Sequence, residues 1–215
     1  MILRAGLGIG VFLAMLFGPA GSWAYWPAWL YLGVFLIPMS IGTLYFWRHD
    51  KLLLERRMER NEQRDEQRTI IGLFNLVFLA GFMLPGFDYR FGWSQLPAAV
   101  IVAASVVVLL GYLGTLWVMR TNSFAARTVR VEEGQELITT GPYAHVRHPM
   151  YTAVTAMMLA TPWALGSWVA APVFLLVVPL LMWRIRNEEQ MLREELAGYP
   201  AYCEQVRWRL IPGLV

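Results

Sequence analysis

Polar and apolar positions along the chain are segregated rather than interleaved. Residues 5–47, 43 in a row, contain no Asp, Glu, Lys or Arg, and neither do residues 149–183, a run of 35. Two further uncharged runs occupy 69–85 and 96–119. A membrane-crossing helix needs about 20 largely apolar residues, because the hydrocarbon core is roughly 30 Å thick. The first block is long enough for two such helices, divided by the turn chemistry of Gly18-Pro19-Ala20-Gly21-Ser22. The pattern thus predicts helices over 5–17, 27–47, 69–85 and 96–119. The last block folds back at Pro162-Trp163-Ala164-Leu165-Gly166 into two arms of about 16 to 18 residues, which suits a hairpin of thin spans or a re-entrant pair. Trp23, Tyr25, Trp26 and Trp29 cluster at the first turn, where an aromatic belt at headgroup level would place them.

Basic residues set the orientation, since Lys and Arg are retained on the cytoplasmic side. The loop 48–68 carries Arg48, Lys51, Arg56, Arg57, Arg60, Arg64 and Arg68. The segment before the hairpin adds Arg120, Arg127, Arg130 and Arg147, and the tail adds Arg184, Arg186, Arg193, Arg207 and Arg209. With six crossings and the N-terminus inside, all of these face the cytoplasm together with Arg4, and only Arg90 lies outside. The expected fold is therefore all-α: a polytopic helical bundle of about six membrane helices, including a C-terminal hairpin, with both termini cytoplasmic. We divide it into N-terminal membrane helices, 1–119, and a second unit, 120–215. Arg4, the apolar run after it and the small residues near Ala20 also fit a cleaved leader. Cleavage there would leave an odd number of spans and upset the charge asymmetry. In the loop 48–68, Arg56, Arg60, Arg64 and Arg68 alternate with Glu55 and Glu59 at four-residue spacing, which predicts a solvated helix continuing the second span.

Composition narrows the class. Apolar residues make up 57% and charged residues 15% of the 215, whereas a soluble domain has about 25% charged residues. A net charge of +3, scattered, is too small for a phosphate-binding surface, so no nucleic-acid partner is expected. The single cysteine, Cys203, excludes an internal disulfide, and three scattered His make no metal-ligand spacing, so no metal is expected. Gly6, Gly8 and Gly10 mimic a dinucleotide loop but lie inside a span without a preceding strand.

Two polar segments flank the hairpin. The first reads Gln135-Glu136-Leu137-Ile138-Thr139-Thr140-Gly141-Pro142-Tyr143-Ala144-His145-Val146-Arg147-His148-Pro149-Met150-Tyr151; the second reads Arg184-Ile185-Arg186-Asn187-Glu188-Glu189, followed by Tyr199, Tyr202, Arg209 and Pro212. Charges and His at a membrane face are expensive unless they serve something. A hairpin returns both its ends to one face, which brings Arg147, His148 and Tyr151 near Arg184, Glu188 and Glu189. Arg184 and Glu188 lie one turn apart on one helix face, and Pro149 suits a first helical turn.

This arrangement resembles the isoprenylcysteine carboxyl methyltransferase family and its phospholipid methyltransferase relatives. The resemblance is carried by G-x-Y-x-x-x-R-H-P-x-Y (Gly141 to Tyr151), R-I-x-x-E-E (Arg184 to Glu189), Tyr199, Tyr202, Arg209 and Pro212, and it covers roughly residues 120–215. It implies a membrane-embedded enzyme that uses S-adenosylmethionine to methylate a lipidic or small apolar acceptor entering from the membrane lipid. Arg147 and His148 would meet the cofactor's carboxylate, Glu188 or Glu189 its ammonium, and Tyr143 or Tyr151 its sulfonium by cation–π attraction. Gly141 belongs to the same motif, and Gln135, Leu137 and Ile138 would hold adenine and ribose. Arg184, Glu188 and Glu189 are the candidate catalytic residues, with Arg184 positioning an anionic acceptor. Many members of the isoprenylcysteine branch have His where Gln135 stands, so this chain lacks a titrating group there.

Other readings stay open. A phospholipid amine or a small thiol could be the acceptor. The R-H-P-x-Y region is also similar to that of sterol reductases, so an NADPH-dependent membrane reductase is an alternative, although the segment is short of the cations a phosphorylated dinucleotide wants. A third reading is a non-enzymatic membrane partner. Arg147 and Arg184 taken singly could be snorkelling anchors, one of Glu188 and Glu189 is expected to be a solvated helix end, and His49 and His145 are expected at the surface. Asn75, inside a span, is expected to hydrogen-bond between helices, and Cys203, Met157 and Met158 to pack. Nothing in the sequence sets the oligomeric state.

Overall fold

The computed structural model describes residues 2–58, 65–125 and 134–214. Arg60, Arg64, Glu59, Arg127 and Arg130 lie outside the described residues. Among the described residues all regular structure is helical: α1 (Ile2–Ala20), α2 (Trp26–His49), α3 (Lys51–Met58), α4 (Asp65–Phe91), α5 (Ala98–Thr121), a 3₁₀ turn (Gly141–Ala144), α6 (Pro149–Ala164), α7 (Ala171–Leu175), α8 (Val177–Glu195) and α9 (Tyr199–Gln205). Three helices, α2, α4 and α5, are long and apolar enough to cross a membrane; the apolar part of α1 and all of α6 are shorter. Their outward faces carry Ile37, Ile41, Leu76, Val102, Leu110 and Trp117 exposed, a surface that belongs against lipid rather than water.

The helices run between two ends. At one end Gly21 lies beside the Arg90 guanidinium, the Tyr25 and Tyr89 rings stack at 4.6 Å, and Gly166 faces Pro27 and Ile101. At the other, the Arg56 Nη1 donates to the Ser123 carbonyl at 2.8 Å, the Asn187 amide donates to Glu66 at 2.6 Å, and Gly141 lies against Thr121. The 24 residues of α5, at 1.5 Å each, set these ends about 36 Å apart. The hairpin therefore starts at the second end, turns at the first and returns. Its fold-back follows from Leu165 capping α6 and from Gly166 at φ +75, a conformation that a side chain would strain.

Close backbone approach holds the bundle together. A Cβ on Gly111 of α5 would sit 3.0 Å from the Ala153 carbonyl of α6, and one on Gly86 of α4 would sit 2.7 Å from the Leu16 carbonyl of α1. Small residues allow this contact where apolar burial alone gives no driving force against lipid. The central core, including Leu16, Tyr31, Phe82, Val108, Met157 and Phe174, draws on helices from both parts of the chain.

Three expectations need correction. The charged loop does not continue α2. Asp50 breaks the helix with φ −153 and its carboxylate caps the Leu53 N–H at 3.0 Å, so α3 starts afresh. Nor is α3 wholly solvated: Leu53 is buried, and Arg56 and Arg57 donate to carbonyls of Ser123 and Ala125 just past α5. Tyr25 is not part of an interfacial belt; it is buried, and its hydroxyl donates to the Leu165 carbonyl, tying α2 to the hairpin turn.

Candidate active site

Pro149 opens α6 in its first turn, so His148 stands at the helix mouth with Arg147 behind it. The tail runs alongside. The Arg147 N–H donates to the Trp208 carbonyl and the His148 N–H to the Arg209 carbonyl, both at 2.9 Å, while the Thr152 hydroxyl donates to the Leu210 carbonyl at 2.7 Å. In α9 the Tyr202 hydroxyl donates to the Tyr143 carbonyl at 2.7 Å, holding the 3₁₀ turn. The long spacing between the R-H-P segment and Arg209 is thus closed by backbone pairing.

The two adjacent glutamates of α8 face different partners. Glu189 is buried at 4% exposure. One of its oxygens accepts from Arg147 Nε at 2.7 Å and His148 Nε2 at 3.3 Å, and the other from Arg209 Nε at 3.0 Å. Burial alone would raise this carboxyl, but the hydrogen bonds from His148 and Arg147, with Arg209, hold it down at about 2. It lies beyond the apolar arm of the hairpin. Glu188 turns the other way: its Oε2 accepts from the Tyr151 hydroxyl at 2.6 Å, and its Oε1 is 3.9 Å from His148 Nδ1. The Tyr151 hydroxyl in turn accepts from Arg184 Nε at 2.9 Å, and Arg184 Nη1 donates to Gln67 Oε1 at 3.0 Å. Neither acid is a solvated helix end, so that expectation fails. Each is anchored by side chains that the hairpin returns to it.

Five of these residues border a cavity of about 420 Å³. Its polar side is built from Arg147, His148, Tyr151, Arg184 and Glu188. One helical turn deeper, Val154 follows Tyr151 and Leu181 precedes Arg184, and with Ile71 and Phe74 of α4 they make an apolar wall. Gln135, Leu137 and Ile138 line it from the loop before the 3₁₀ turn, with Tyr143 beside them. Burial pushes the Tyr143 phenol up to about 12, with the Asn122 amide donating to its oxygen at 3.0 Å. The Tyr199 hydroxyl is buried on this wall and has no hydrogen-bond partner among the described residues.

Two expected site residues stand off the wall. Gly141 takes φ +61 against Thr121, so its lack of a side chain serves the turn. Glu189 lies behind Arg147 and His148, which it holds. Arg147 is also largely committed, since its Nη1 donates to the Val206 and Arg207 carbonyls at 2.9 and 2.8 Å. His49 and His145 are exposed, Cys203 packs against the α9 cluster, and Asn75 lines the cavity. Among the described residues no group of His, Cys, Asp or Glu could hold a metal. Sequence reasoning missed Arg57, Asn122 and Gln67. Gln67 reads as one more polar residue of a charged loop, and only its complete burial separates it.

Comparison with known proteins agrees with this construction. A model of the isoprenylcysteine carboxyl methyltransferase (ICMT) family matches residues 101–194, from within α5 to the end of α8. Among solved structures, the eukaryotic intramembrane Ras methyltransferase ICMT, determined without a monobody, is similar with a TM-score of 0.51 and 20% identity, covering 86% of this chain and 68% of that one. At that identity the likeness is one of fold. No curated protein matches the chain. Nothing in these comparisons supports the reductase reading. The family model thus covers the hairpin and the two polar segments at its ends, and the solved structure shares the helical fold.

Proposed function

We propose that the protein uses S-adenosylmethionine to methylate a lipidic or small apolar acceptor at the cytoplasmic face of the membrane. By resemblance, the favoured acceptor is an isoprenylcysteine-type carboxylate. The observation that carries this reading is the cavity in which Glu188, His148, Tyr151 and Arg184 meet an apolar wall supplied by α4, α6 and α8. Its 420 Å³ falls within the range of small-ligand pockets, about 300–1,000 Å³. The buried Tyr199 hydroxyl, without a partner among the described residues, is a hydrogen-bonding position that a polar ligand would satisfy.

S-adenosylmethionine supplies the methyl group on an electrophilic sulfonium. Glu188, held by Tyr151, suits the ammonium better than Glu189, whose two oxygens are already occupied. His148, with Arg147, would meet the carboxylate, and Gln135, Leu137 and Ile138 the adenosine. Arg184, fixed at Nε and Nη1, would orient the acceptor. A carboxylate acceptor needs no general base, so alignment of the two reactants supplies most of the rate enhancement. A phospholipid amine or a thiol would instead draw on Glu188 as base. The reading carries six crossings and cytoplasmic termini with it, since the cofactor is cytosolic.

The test is methyl transfer from S-[methyl-³H]adenosylmethionine in nanodiscs, with an S-farnesylated N-acetylcysteine, phosphatidylethanolamine and a small alkyl thiol offered separately. Label in the farnesylated probe alone supports the carboxylate reading, and label in another acceptor replaces it. No transfer to any of the three by folded protein counts against this acceptor range.

A further inference from the structure

The relay of side chains at the cavity does not end within the matched segment. Tyr151, Arg184 and Glu188 fall inside residues 101–194, but one partner of Arg184, Gln67, lies outside it in the first turn of α4. Gln67 is fully buried, and its Oε1 accepts from Arg184 Nη1 at 3.0 Å. With Nε on the Tyr151 hydroxyl at 2.9 Å and Nη1 on Gln67, the guanidinium is held by groups from two different helices, α6 and α4. A planar guanidinium held at two points has its plane fixed, unlike a side chain anchored at one. Gln67 Nε2 is buried without a partner among the described residues, which makes the amide costly to keep there.

We propose that Gln67 is a positioning residue: it sets the plane of Arg184 through one hydrogen bond and, being neutral, adds no counter-charge of its own to the guanidinium. The inference rests on the proposed function for the role of Arg184 toward the acceptor, but the hold on Arg184 stands apart from it. A glutamate at this position would keep the geometry and add a negative charge. A leucine would keep the bulk and remove this hydrogen bond from Nη1. Stapling α4 to α8 is a separate task, already served by the neighbouring Glu66–Asn187 hydrogen bond at 2.6 Å.

The test compares Gln67→Leu, Gln67→Glu and Glu66→Ala in nanodiscs by three readings. The first is calorimetric affinity for S-adenosylhomocysteine. The second is KM and kcat with the S-farnesylated N-acetylcysteine. The third is hydrogen exchange of the Arg184 Nε–H in ¹⁵N-arginine-labelled protein, assigned with Arg184→Lys. Gln67→Leu is expected to speed that exchange and to lower kcat/KM by about ten-fold or more, the loss of a hydrogen bond to a charged group. S-adenosylhomocysteine affinity should stay within about two-fold, because Gln67 does not line the cavity. Gln67→Glu should retain slow exchange yet raise the acceptor KM, and Glu66→Ala should leave both unchanged. Equal effects of Gln67→Leu and Glu66→Ala would reduce Gln67 to a helix staple and overturn the proposal. Unchanged Nε–H exchange in Gln67→Leu would overturn it as well. If the wild-type protein methylates no such probe, the acceptor reading fails, and the exchange measurement still decides the role of Gln67.

Discussion

Adjacent glutamates with opposite duties make a sharp experiment. Glu189→Gln removes the charge that Arg147, His148 and Arg209 share while keeping the side chain's shape. It leaves the Arg147 guanidinium, 8% exposed, without its carboxylate. Two independent magnitudes agree. Breaking a buried ion pair from one side costs about 3–5 kcal/mol. A carboxyl held at about 2 rather than its ordinary 4.5 corresponds to about 3 kcal/mol of stability. For a chain of this size that amounts to about 6–12 °C in Tm. Glu188→Gln removes a carboxylate 23% exposed and bonded to one tyrosine, so its Tm should fall by no more than about 3 °C. The assay is intrinsic tryptophan fluorescence during heating in one detergent, repeated across pH. The sign follows from a depressed carboxyl: the stabilisation is fully present above the unfolded value of 4.5 and is lost as pH falls toward about 2. The gap between wild type and Glu189→Gln should therefore be widest near neutrality and close in acid. Equal Tm values at pH 7, or a larger fall in Glu188→Gln, would refute the division of labour.

Other outcomes follow from the same geometry. Tyr151→Phe, which deletes the hydroxyl between Glu188 and Arg184, should weaken S-adenosylhomocysteine binding by about ten-fold with an unchanged helical circular dichroism spectrum. Gly111→Leu forces a side chain against the Ala153 carbonyl and Met157 and should lower stability by about 1–3 kcal/mol or block folding, read as Tm and monodispersity. Asp88→Asn disturbs the far end, where that buried carboxylate accepts from the Ser94 N–H at 2.6 Å and from the Ser167 hydroxyl. It should lower Tm by about 2–8 °C while leaving S-adenosylhomocysteine affinity at the wild-type value. For orientation, Cys203 should react with a membrane-impermeant maleimide only after cells are opened, whereas Arg90→Cys in a Cys203→Ser background should react in intact cells.

Much of this was legible because hydrophobic blocks translate directly into helices. The uncharged runs located α2, α4, α5 and the fold-back at Pro162–Gly166, and the two ends of the last run brought Arg147 and His148 to Glu188 and Glu189. Boundaries were less accessible. α4 extends from Asp65 to Phe91 because its charged first turn packs against α8 through Glu66 and Gln67, a tertiary contact that no local pattern reveals. Asp50 separated α3 from α2 by a cap that looked like one more charge in a mixed run. Composition could not tell Glu188 from Glu189, since neighbouring positions on a helix point about 100° apart. The roles of Gln67 and Tyr25 were equally hidden, because each depends on a partner more than a hundred positions away.

The central claim is that the ends of one apolar hairpin close a pocket for the cofactor's amino-acid tail. Isothermal titration of S-adenosylhomocysteine into nanodisc-embedded protein tests it most directly, run beside Glu188→Gln. Saturable one-to-one binding by the wild type, weakened about ten-fold or more by Glu188→Gln at nearly unchanged Tm, is the predicted result. Absence of binding by a folded wild-type sample, or equal affinity in the variant, would contradict it.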